Sequence, residues 1–216
     1  MSTHDKSVSD RPALFLATRN PGKIRELTAA LGEYFTVVAR PEDLAETVED
    51  RDTLVGNSMK KAVEVADHTG STALADDTGL FVEALGGRPG VRSARYAGPE
   101  ADSEANRTKM LTELDGIADR RAYVETIIVV CFAGQALSWP TLPDPIRRGV
   151  PVIAWGRVNG AITAEPRGSD GFGYDSIFQP DEGGGATFAQ MSLADKQAIS
   201  HRGRALVDLN RILGIG

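Results

Sequence analysis

The chain has 216 residues, of which 41% are hydrophobic and 25% are charged, and this composition fits a globular protein of one domain or two small lobes. A formal net charge of −6 makes it a poor non-specific binder of nucleic acid polymers or anionic membranes. Its single cysteine, Cys131, excludes an intramolecular disulfide and a thiolate zinc cage. The polar first ten residues lack the apolar segment of a signal peptide, and no apolar run reaches membrane-spanning length, so we expect a cytoplasmic protein.

The first predicted elements are a strand and a helix joined by a polar loop. We expect residues 1–11 to be a disordered tail and residues 12–216 to form a single domain. Ala13–Thr18 is an apolar run typical of a buried strand, and Lys23–Leu31 repeats apolar residues at the helical period. The loop Arg19–Lys23 precedes a helix whose free N–H groups and dipole attract anions, although an ordinary βα turn is the commoner meaning of such a loop.

An acidic connection and a second helix follow. Glu42–Asp52 carries six acidic residues and is typical of a solvated surface. The spacing of apolar residues predicts a helix over Asn57–His68 with Val63 on the face toward the core. Lys60 and Lys61 lie off this apolar face, so we interpret each either as a surface residue or as a phosphate ligand.

The most informative stretch is Ala73–Gly79, with the sequence Ala-Leu-Ala-Asp-Asp-Thr-Gly. A small apolar run before turn residues predicts a buried strand that ends at a loop, where open α/β folds place their ligands. Side chains alternate along a strand, so Asp76 and Asp77 serve one site only if the strand breaks between them. Two close carboxylates suit a hard divalent cation. The alternative is a solvated turn.

The remaining chain predicts a helix over Ala101–Leu114, a long β-branched strand over Ala122–Ala133, and a proline-rich excursion over Trp139–Pro151. Asn159-Gly160 between two apolar runs is a strong hairpin signal. Gly168–Asp175 has glycines on both sides of a phenylalanine, which allow the backbone to approach a flat ligand on which the ring stacks.

Five short motifs follow one another along nearly the whole chain: Thr18–Lys23, Ala75–Gly79, Gly87–Gly90 with Ser93–Gly98, Gly171–Asp175, and Lys196 with Ser200–Gly203. Each motif is a weak signal alone, whereas five in this order are very specific. Together they resemble the inosine triphosphate pyrophosphatase family, the Ham1-like pyrophosphatases of non-canonical purine nucleoside triphosphates.

The resemblance implies an α/β fold with a mixed central sheet flanked by helices, and two lobes with an active-site cleft between them. It implies Mg²⁺-dependent hydrolysis of dITP, ITP or XTP to the monophosphate and pyrophosphate, with a homodimer as the usual state. Asp77 would be the general base and a metal ligand, with Asp76 beside it in the metal site. The implied substrate-binding residues are Thr18, Arg19, Asn20, Pro21, Gly22, Lys23, Thr78, Phe172, Gly173, Tyr174, Asp175, Lys196, His201 and Arg202.

The chemistry of these residues agrees with the implied reaction. Attack of water on a phosphoryl group needs a base, a cation and neutralised oxygens, which Asp77, Mg²⁺ and Lys23 supply. Hypoxanthine and xanthine carry an oxo group where adenine carries an amino donor. Arg202 and a protonated His201 offer only hydrogen-bond donors, so we expect them to favour 6-oxo purines.

Two positions depart from the family pattern. Gly56 stands where the family usually has an acid that helps to hold the metal, and Gln190 replaces a common glutamate. We therefore expect weaker Mg²⁺ binding, unless Glu49, Asp50 or Asp52 takes the place of the missing acid.

Two other functions remain open at this stage. Asp77-Thr78-Gly79 matches the triplet of aspartic proteases, but those enzymes need two such triplets in a mostly β fold, and this chain has one. Gly56 favours a second alternative, a nucleotide-binding module without catalysis. Phosphate release from ITP, with and without added pyrophosphatase, separates these hypotheses.

Overall fold

The structure of the protein is a computed structural model that describes residues 11–100, 102–132 and 150–215. Its helices are α1 (Pro21–Leu31), α2 (Leu54–Thr69), α3 (Ser103–Glu113), α4 (Leu193–Ile199) and α5 (His201–Leu213). Its strands are β1 (Ala13–Leu16), β2 (Thr36–Val38), β3 (Ala73–Val82), β4 (Pro89–Gly90), β5 (Arg121–Cys131), β6 (Val152–Ile162) and β7 (Phe178–Pro180). Most of the predicted tail and of the excursion Trp139–Pro151 lies outside the described residues. Within the described ranges no helix is long and apolar enough to cross a membrane.

The strands form one mixed sheet in the order β2-β1-β3-β5-β6-β7, with β4 paired to β3. β1 runs parallel to β2 and β3, whereas β5, β6 and β7 continue the sheet in antiparallel pairs. α1 and α5 pack on one face and α2 on the other, and a further apolar cluster surrounds α3 and the end of β3. The mixed sheet with flanking helices is thereby confirmed.

β3 passes through the acidic doublet without a break, so the predicted strand end at this point is wrong. Asp76 and Asp77 both lie in a continuous antiparallel ladder with β5, which supplies a partner for every residue of β3. Because β5 pairs with β3 along its whole length, the strand stays extended through the doublet and does not turn there. The two carboxylates consequently point to opposite faces of the sheet.

The other edge of β3 is covered only at its two ends. β1 pairs with β3 as far as Leu74, and β4 pairs with it from Leu80 onward. Between them, residues 75–79 have no strand partner on this edge among the described residues. This gap leaves the edge of β3 at the Asp-Asp-Thr motif open to side chains, and Lys23 and Lys61 reach the backbone oxygen of Asp76 there.

Asn159-Gly160 does not form the predicted hairpin, because β6 continues through both residues. Gly160 pairs with Ala122 of β5 and with Pro180 of β7. A Cβ atom at Gly160 would lie 2.2 Å from the backbone oxygen of Gln179. The glycine therefore allows close strand packing and does not mark a turn.

The buried stripe of α2 is shifted from the predicted one. Val63 was expected to face the core but is 38% exposed, whereas the polar residues Asn57, Ser58 and Lys61 are buried. The spacing of apolar residues did not predict this shift, because part of the buried face of α2 contacts polar groups on β3 and β5. Ser58, for example, donates to a backbone oxygen of β5 at 3.1 Å.

Candidate active site

A cleft of about 560 Å³ opens at the gap in the sheet. Side chains reach it from the loop before α1, from α2 and β3, and from the starts of α4 and α5. It brings together most of the predicted site residues, namely Thr18, Arg19, Asn20, Lys23, Asp77, Thr78, Phe172, Gly173, Tyr174, Asp175, Lys196, His201 and Arg202. Pro21, Gly22 and Asp76 do not line it.

The loop before α1 is ordered by its own cap. Asn20 Oδ1 accepts hydrogen bonds from the N–H groups of Gly22 and Lys23 at 2.9 and 3.2 Å. Pro21 occupies the first helical position, where a missing N–H does no harm. Arg19 donates to two carbonyl oxygens of the acidic connection. The loop thus presents Lys23 to an anion as a side-chain charge, while two of its N–H groups are already bonded.

Asp77 is held by Lys61, which the sequence left open as a surface residue or a phosphate ligand, and by Asn57, which it assigned to no site. Lys61 Nζ lies 3.1 Å from Asp77 Oδ1 and 3.0 Å from Glu49 Oε1. Asn57 donates its side-chain N–H to Asp77 Oδ2 at 3.3 Å. Arg95 binds the other oxygen of Glu49 at 3.1 Å. Two carboxylates of the cleft therefore share a single ammonium group.

Asp76 lies on the opposite face of β3, and its side chain is fully buried. Its Oδ2 atom is 3.1 Å from Lys23 Nζ and 2.9 Å from Arg202 Nη2. Its Oδ1 atom is buried without a partner in the described part of the chain. A carboxylate closed off between two cations is badly placed for the metal-site role that the resemblance implies for Asp76.

Arg202 is the centre of a buried charge network that joins α1, β3, α4 and α5. Besides Asp76 it donates to Glu26, and to Thr78 Oγ1 at 3.2 Å. Glu26 also accepts from Lys196 Nζ at 2.8 Å, and the same ammonium group lies 2.7 Å from a carboxylate oxygen at the end of the glycine-rich segment. Arg202 therefore ties the sheet to the helices as well as lining the cleft.

The two acids of the doublet differ in their protonation behaviour. Burial raises the pKa of Asp77 above its usual value, although the charges of Lys61 and Lys23 oppose the shift. Burial opposes the charge of Asp76 as well, but its cationic partners hold the pKa of that carboxyl far below its usual value. Burial also lowers the pKa of Lys23, despite the attraction of Asp76. Asp77 is thus a stronger base than an ordinary aspartate, while Asp76 is a permanent anion.

The glycine-rich segment Gly168–Asp175, whose aromatic ring was predicted to stack on a flat ligand, contributes to one wall of the cleft. The ring of Phe172 lies against Gly22, where an added Cβ atom would be 2.2 Å from it. Lys196 Nζ is 4.8 Å from the centroid of this ring. Tyr174 donates its hydroxyl to the backbone oxygen of Ser93 at 2.9 Å. These contacts hold both aromatic residues in place.

His201 is the first residue of α5, which approaches β6 closely at Gly156. A Cβ atom there would lie 2.2 Å from the backbone oxygen of His201, so a side chain would push the helix away. His201 Nδ1 lies 2.6 Å from Thr126 Oγ1. Burial and the nearby charge of Arg202 lower the pKa of His201 well below its usual value. The imidazole is therefore neutral, in contrast to the protonated ring assumed from the sequence.

Gly56 lies at the third position of α2, beside the cap of the helix. Its N–H donates to Thr53 Oγ1 at 3.0 Å. A Cβ atom at Gly56 would lie 2.9 Å from Arg51 Cβ and 3.0 Å from Thr53 Oγ1. A side chain at this position would start among the capping residues. A glutamate there would complete a capping box with Thr53.

Glu49 is the acid that the structure brings next to Asp77, since both bind Lys61. Asp50, another proposed substitute for the missing acid, pairs instead with Lys60 at 3.1 Å. No cluster of three histidine, cysteine or acidic residues that could hold a metal occurs in the described ranges. Glu49 and Asp77 are thus the two cleft carboxylates that share one cation, and a metal beside them would take its remaining ligands from water and substrate.

Comparison with known proteins identifies close relatives over most of the chain. The dITP/XTP pyrophosphatase of Geobacter sulfurreducens is 43% identical over 206 residues, covering 93% of this chain and 96% of the relative. That of Haemophilus influenzae is 41% identical over 196 residues, covering 89% and 94% of the two chains. The solved structure of a HAM1 protein from Coxiella burnetii matches with a TM-score of 0.78 and 33% identity, covering 93% of this chain and 98% of that one.

The Ham1 family model matches residues 14–212, a range that includes the single Asp77-Thr78-Gly79 triplet. The aspartic protease hypothesis is therefore wrong. The resemblance seen in the five motifs is confirmed by the family model and by both relatives, and the chain belongs to the Ham1 family.

Proposed function

We propose that the protein hydrolyses dITP, ITP and XTP to the monophosphate and pyrophosphate. The observation that carries this proposal is the carboxylate of Asp77 in the cleft, beside two lysines that converge on one backbone oxygen of β3. Lys23 Nζ and Lys61 Nζ both donate to the backbone oxygen of Asp76, at 3.3 and 3.0 Å. The names of the relatives, dITP/XTP pyrophosphatases, support the same substrates.

The residues around Asp77 suit the hydrolysis of a phosphoric anhydride. Asp77 takes a proton from water as the water oxygen bonds to phosphorus and the bond to the leaving pyrophosphate breaks. Lys61 and Asn57 hold its carboxylate in a fixed orientation for that proton. Asn57 holds one carboxylate oxygen, and Lys61 and Lys23 neutralise the charge of the phosphate oxygens.

Mg²⁺ fits the donors that the cleft offers. Asp77 and Glu49 would hold the ion, because they are oxygen donors that already share one cation, Lys61. Two carboxylates are enough for Mg²⁺, which keeps several waters and takes phosphate oxygens of its substrate. When bound, the ion supplies positive charge to the triphosphate.

Preference for 6-oxo purines requires a hydrogen-bond donor at the base end of the cleft. Arg202 uses four of its five N–H groups on Asp76, Glu26 and Thr78, which limits what it offers a ligand. His201 lines the same cleft and is neutral, so it can present one ring nitrogen as a donor. We therefore assign the main contact with the 6-oxo group to His201.

The proposed function is tested by pyrophosphate release from a nucleotide panel. Purified protein is incubated with Mg²⁺ and ITP, dITP, XTP, GTP or ATP, and phosphate is measured with and without added inorganic pyrophosphatase. We expect phosphate from ITP, dITP and XTP only when the pyrophosphatase is present. Phosphate release without it would show a phosphatase that removes the terminal phosphate. Binding without release would show the non-catalytic nucleotide-binding module.

A homodimer is the proposed assembly, and β6 offers a surface for it. Ile153 and Trp155 project from the same face of this strand and are 44% and 56% exposed. Large apolar side chains exposed side by side mark contact surfaces. In light scattering we expect a dimer for the wild type and a monomer for Trp155→Glu. Val207→Glu, at a 71% exposed residue of α5, is the control and should remain dimeric. A monomeric wild type would contradict the proposal.

The cytoplasm is the proposed location, on the basis of the substrate. Nucleoside triphosphates that serve nucleic acid synthesis are held there, and a protein that clears non-canonical ones must share their compartment. Detection of the full-length protein in the cytoplasmic fraction of its own cells would support this location, and detection only in an envelope or extracellular fraction would contradict it.

A further inference from the structure

We propose that Thr126 is a positioning residue, which favours 6-oxo purines by fixing the ring nitrogen of His201 that carries the proton. Thr126 lies in the middle of β5, is fully buried and does not line the cleft. None of the five sequence motifs contains it. The inference depends on the proposed function only for the identity of the base that His201 meets.

The geometry that carries this inference is a chain of hydrogen bonds from Arg202 to His201. Arg202 Nη2 donates to Thr78 Oγ1 at 3.2 Å. Thr78 and Thr126 are opposite each other on β3 and β5, and their hydroxyl oxygens are 2.7 Å apart. Thr126 Oγ1 lies 2.6 Å from His201 Nδ1. Three short contacts therefore connect a buried cation to the imidazole.

The direction of the chain follows from its first member. A guanidinium group only donates, so Thr78 accepts a hydrogen bond from Arg202 and is polarised to donate one of its own. Thr78 then donates to Thr126, and Thr126 donates to His201 Nδ1. In this arrangement each hydroxyl donates once and accepts once. The Nδ1 atom of the neutral ring is thus an acceptor, and the proton lies on Nε2.

The opposite arrangement leaves a hydroxyl proton without a partner in the chain. If His201 donated from Nδ1, Thr126 would be the acceptor. Either Thr126 would then donate to Thr78, whose proton would leave the chain and turn to the cleft that Thr78 lines, or Thr126, which is fully buried, would keep an unused proton. The first case gives up the polarised bond from Thr78 to Thr126, and the second leaves a buried donor unsatisfied, which is unfavourable. The Nε2–H form of His201 is therefore favoured.

Which nitrogen of His201 carries the proton matters where the ring meets the cleft. His201 lines the cleft, and its Nδ1 atom is bonded to Thr126 inside the sheet, so Nε2 is the ring nitrogen left to meet a ligand. The edge of the ring packs against Phe188, with 6.1 Å between the ring centroids, which restricts rotation. A fixed Nε2–H donor matches the oxo group of hypoxanthine or xanthine and meets a second donor in adenine.

The test combines nitrogen NMR of the free protein with kinetics. Protein labelled with ¹⁵N reports which ring nitrogen of His201 carries the proton, and His201→Gln identifies its signals among those of the other histidines. Thr126→Val removes the hydroxyl at nearly constant volume, and Thr126→Ser, the matched control, keeps it. For each protein the ratio of kcat/KM for ITP to kcat/KM for ATP is measured, and the midpoint of thermal unfolding confirms the fold.

We expect the Nε2–H form in the wild type and in Thr126→Ser, with ratios that agree within about twofold. In Thr126→Val we expect a mixture of the two forms and a ratio lowered by about tenfold, the usual value of one hydrogen bond. A wild type with the proton on Nδ1, or a Thr126→Val protein with unchanged spectrum and ratio, would overturn the inference. If Thr126→Val does not fold, the wild-type spectrum still decides. A wild type without ITP hydrolysis would refute the proposed function. The spectra need no substrate, so they test the effect of Thr126 on His201 independently of that function.

Discussion

Replacement of Arg202 by alanine should destabilise the protein strongly. The side chain is fully buried and makes four hydrogen bonds, to Asp76, Glu26 and Thr78. Its removal leaves two buried carboxylates with only lysine partners and removes a large packed side chain. Breaking a buried ion pair from one side costs about 3–5 kcal/mol. In a chain of this size 1 kcal/mol shifts the midpoint of thermal unfolding by roughly 2–4 °C, so we expect a fall of roughly 6–20 °C.

The assay is thermal and urea unfolding of the wild type, Arg202→Ala and the control Arg204→Ala. Arg204 lies two residues further along α5, but its side chain is 37% exposed and pairs with a surface glutamate. Its loss should lower stability by no more than about 1 kcal/mol. Equal unfolding midpoints for the two variants would refute the structural role of Arg202. A selective loss of ITP hydrolysis in a fully stable Arg202→Ala protein would return the main contact with the base to Arg202.

Three other changes test separate parts of the account. Asp77→Asn should fold normally and lose at least about a hundredfold in pyrophosphate release, while Asp50→Asn stays near wild type; near-normal turnover of Asp77→Asn would exclude it as the base. Glu49→Gln should raise the Mg²⁺ concentration that gives half the maximal rate, whereas Gly56→Glu should leave it unchanged. An unchanged requirement in Glu49→Gln together with a lowered requirement in Gly56→Glu would place the metal ligand at residue 56. Burial opposes the charge of Glu26, but its cationic partners keep its pKa below the usual 4.5. As pH falls below that value, the unfolded chain binds more protons than the folded chain, so stability is lost. The unfolding midpoint should therefore fall less steeply between pH 5 and 3 in Glu26→Gln, and equal slopes would count against the network.

The sequence was sufficient for the residues that belong to short motifs. Asp77 and Lys23 each lie in a turn-like stretch whose composition is unusual, and the fold brings both to the cleft. Lys61 and Asn57 were harder to assign, because an apolar period does not count polar residues as buried. Their burial depends on the packing of α2 against β3 and β5, which is a tertiary contact that no local pattern displays.

The wrong hairpin prediction and the residues that the sequence did not single out have the same origin, which is contact between distant parts of the chain. Asn159-Gly160 has the composition of a hairpin, yet the pairing of β6 with both of its neighbours keeps the strand extended. Glu26 resembles an ordinary solvent-facing acid of an amphipathic helix and is buried against two cations from the other end of the chain. Thr126 matters only because register places it opposite Thr78, and register is set by long-range pairing.

Cleavage of 6-oxo purine triphosphates to the monophosphate and pyrophosphate can be followed in one ³¹P NMR time course. It uses wild-type protein, Mg²⁺ and an equimolar mixture of ITP and ATP in the same tube. We predict that the ITP signals are replaced by those of the monophosphate and of pyrophosphate in equal amounts, while the ATP signals persist. Consumption of ATP at the same rate, or the appearance of a nucleoside diphosphate with inorganic phosphate, would contradict the account.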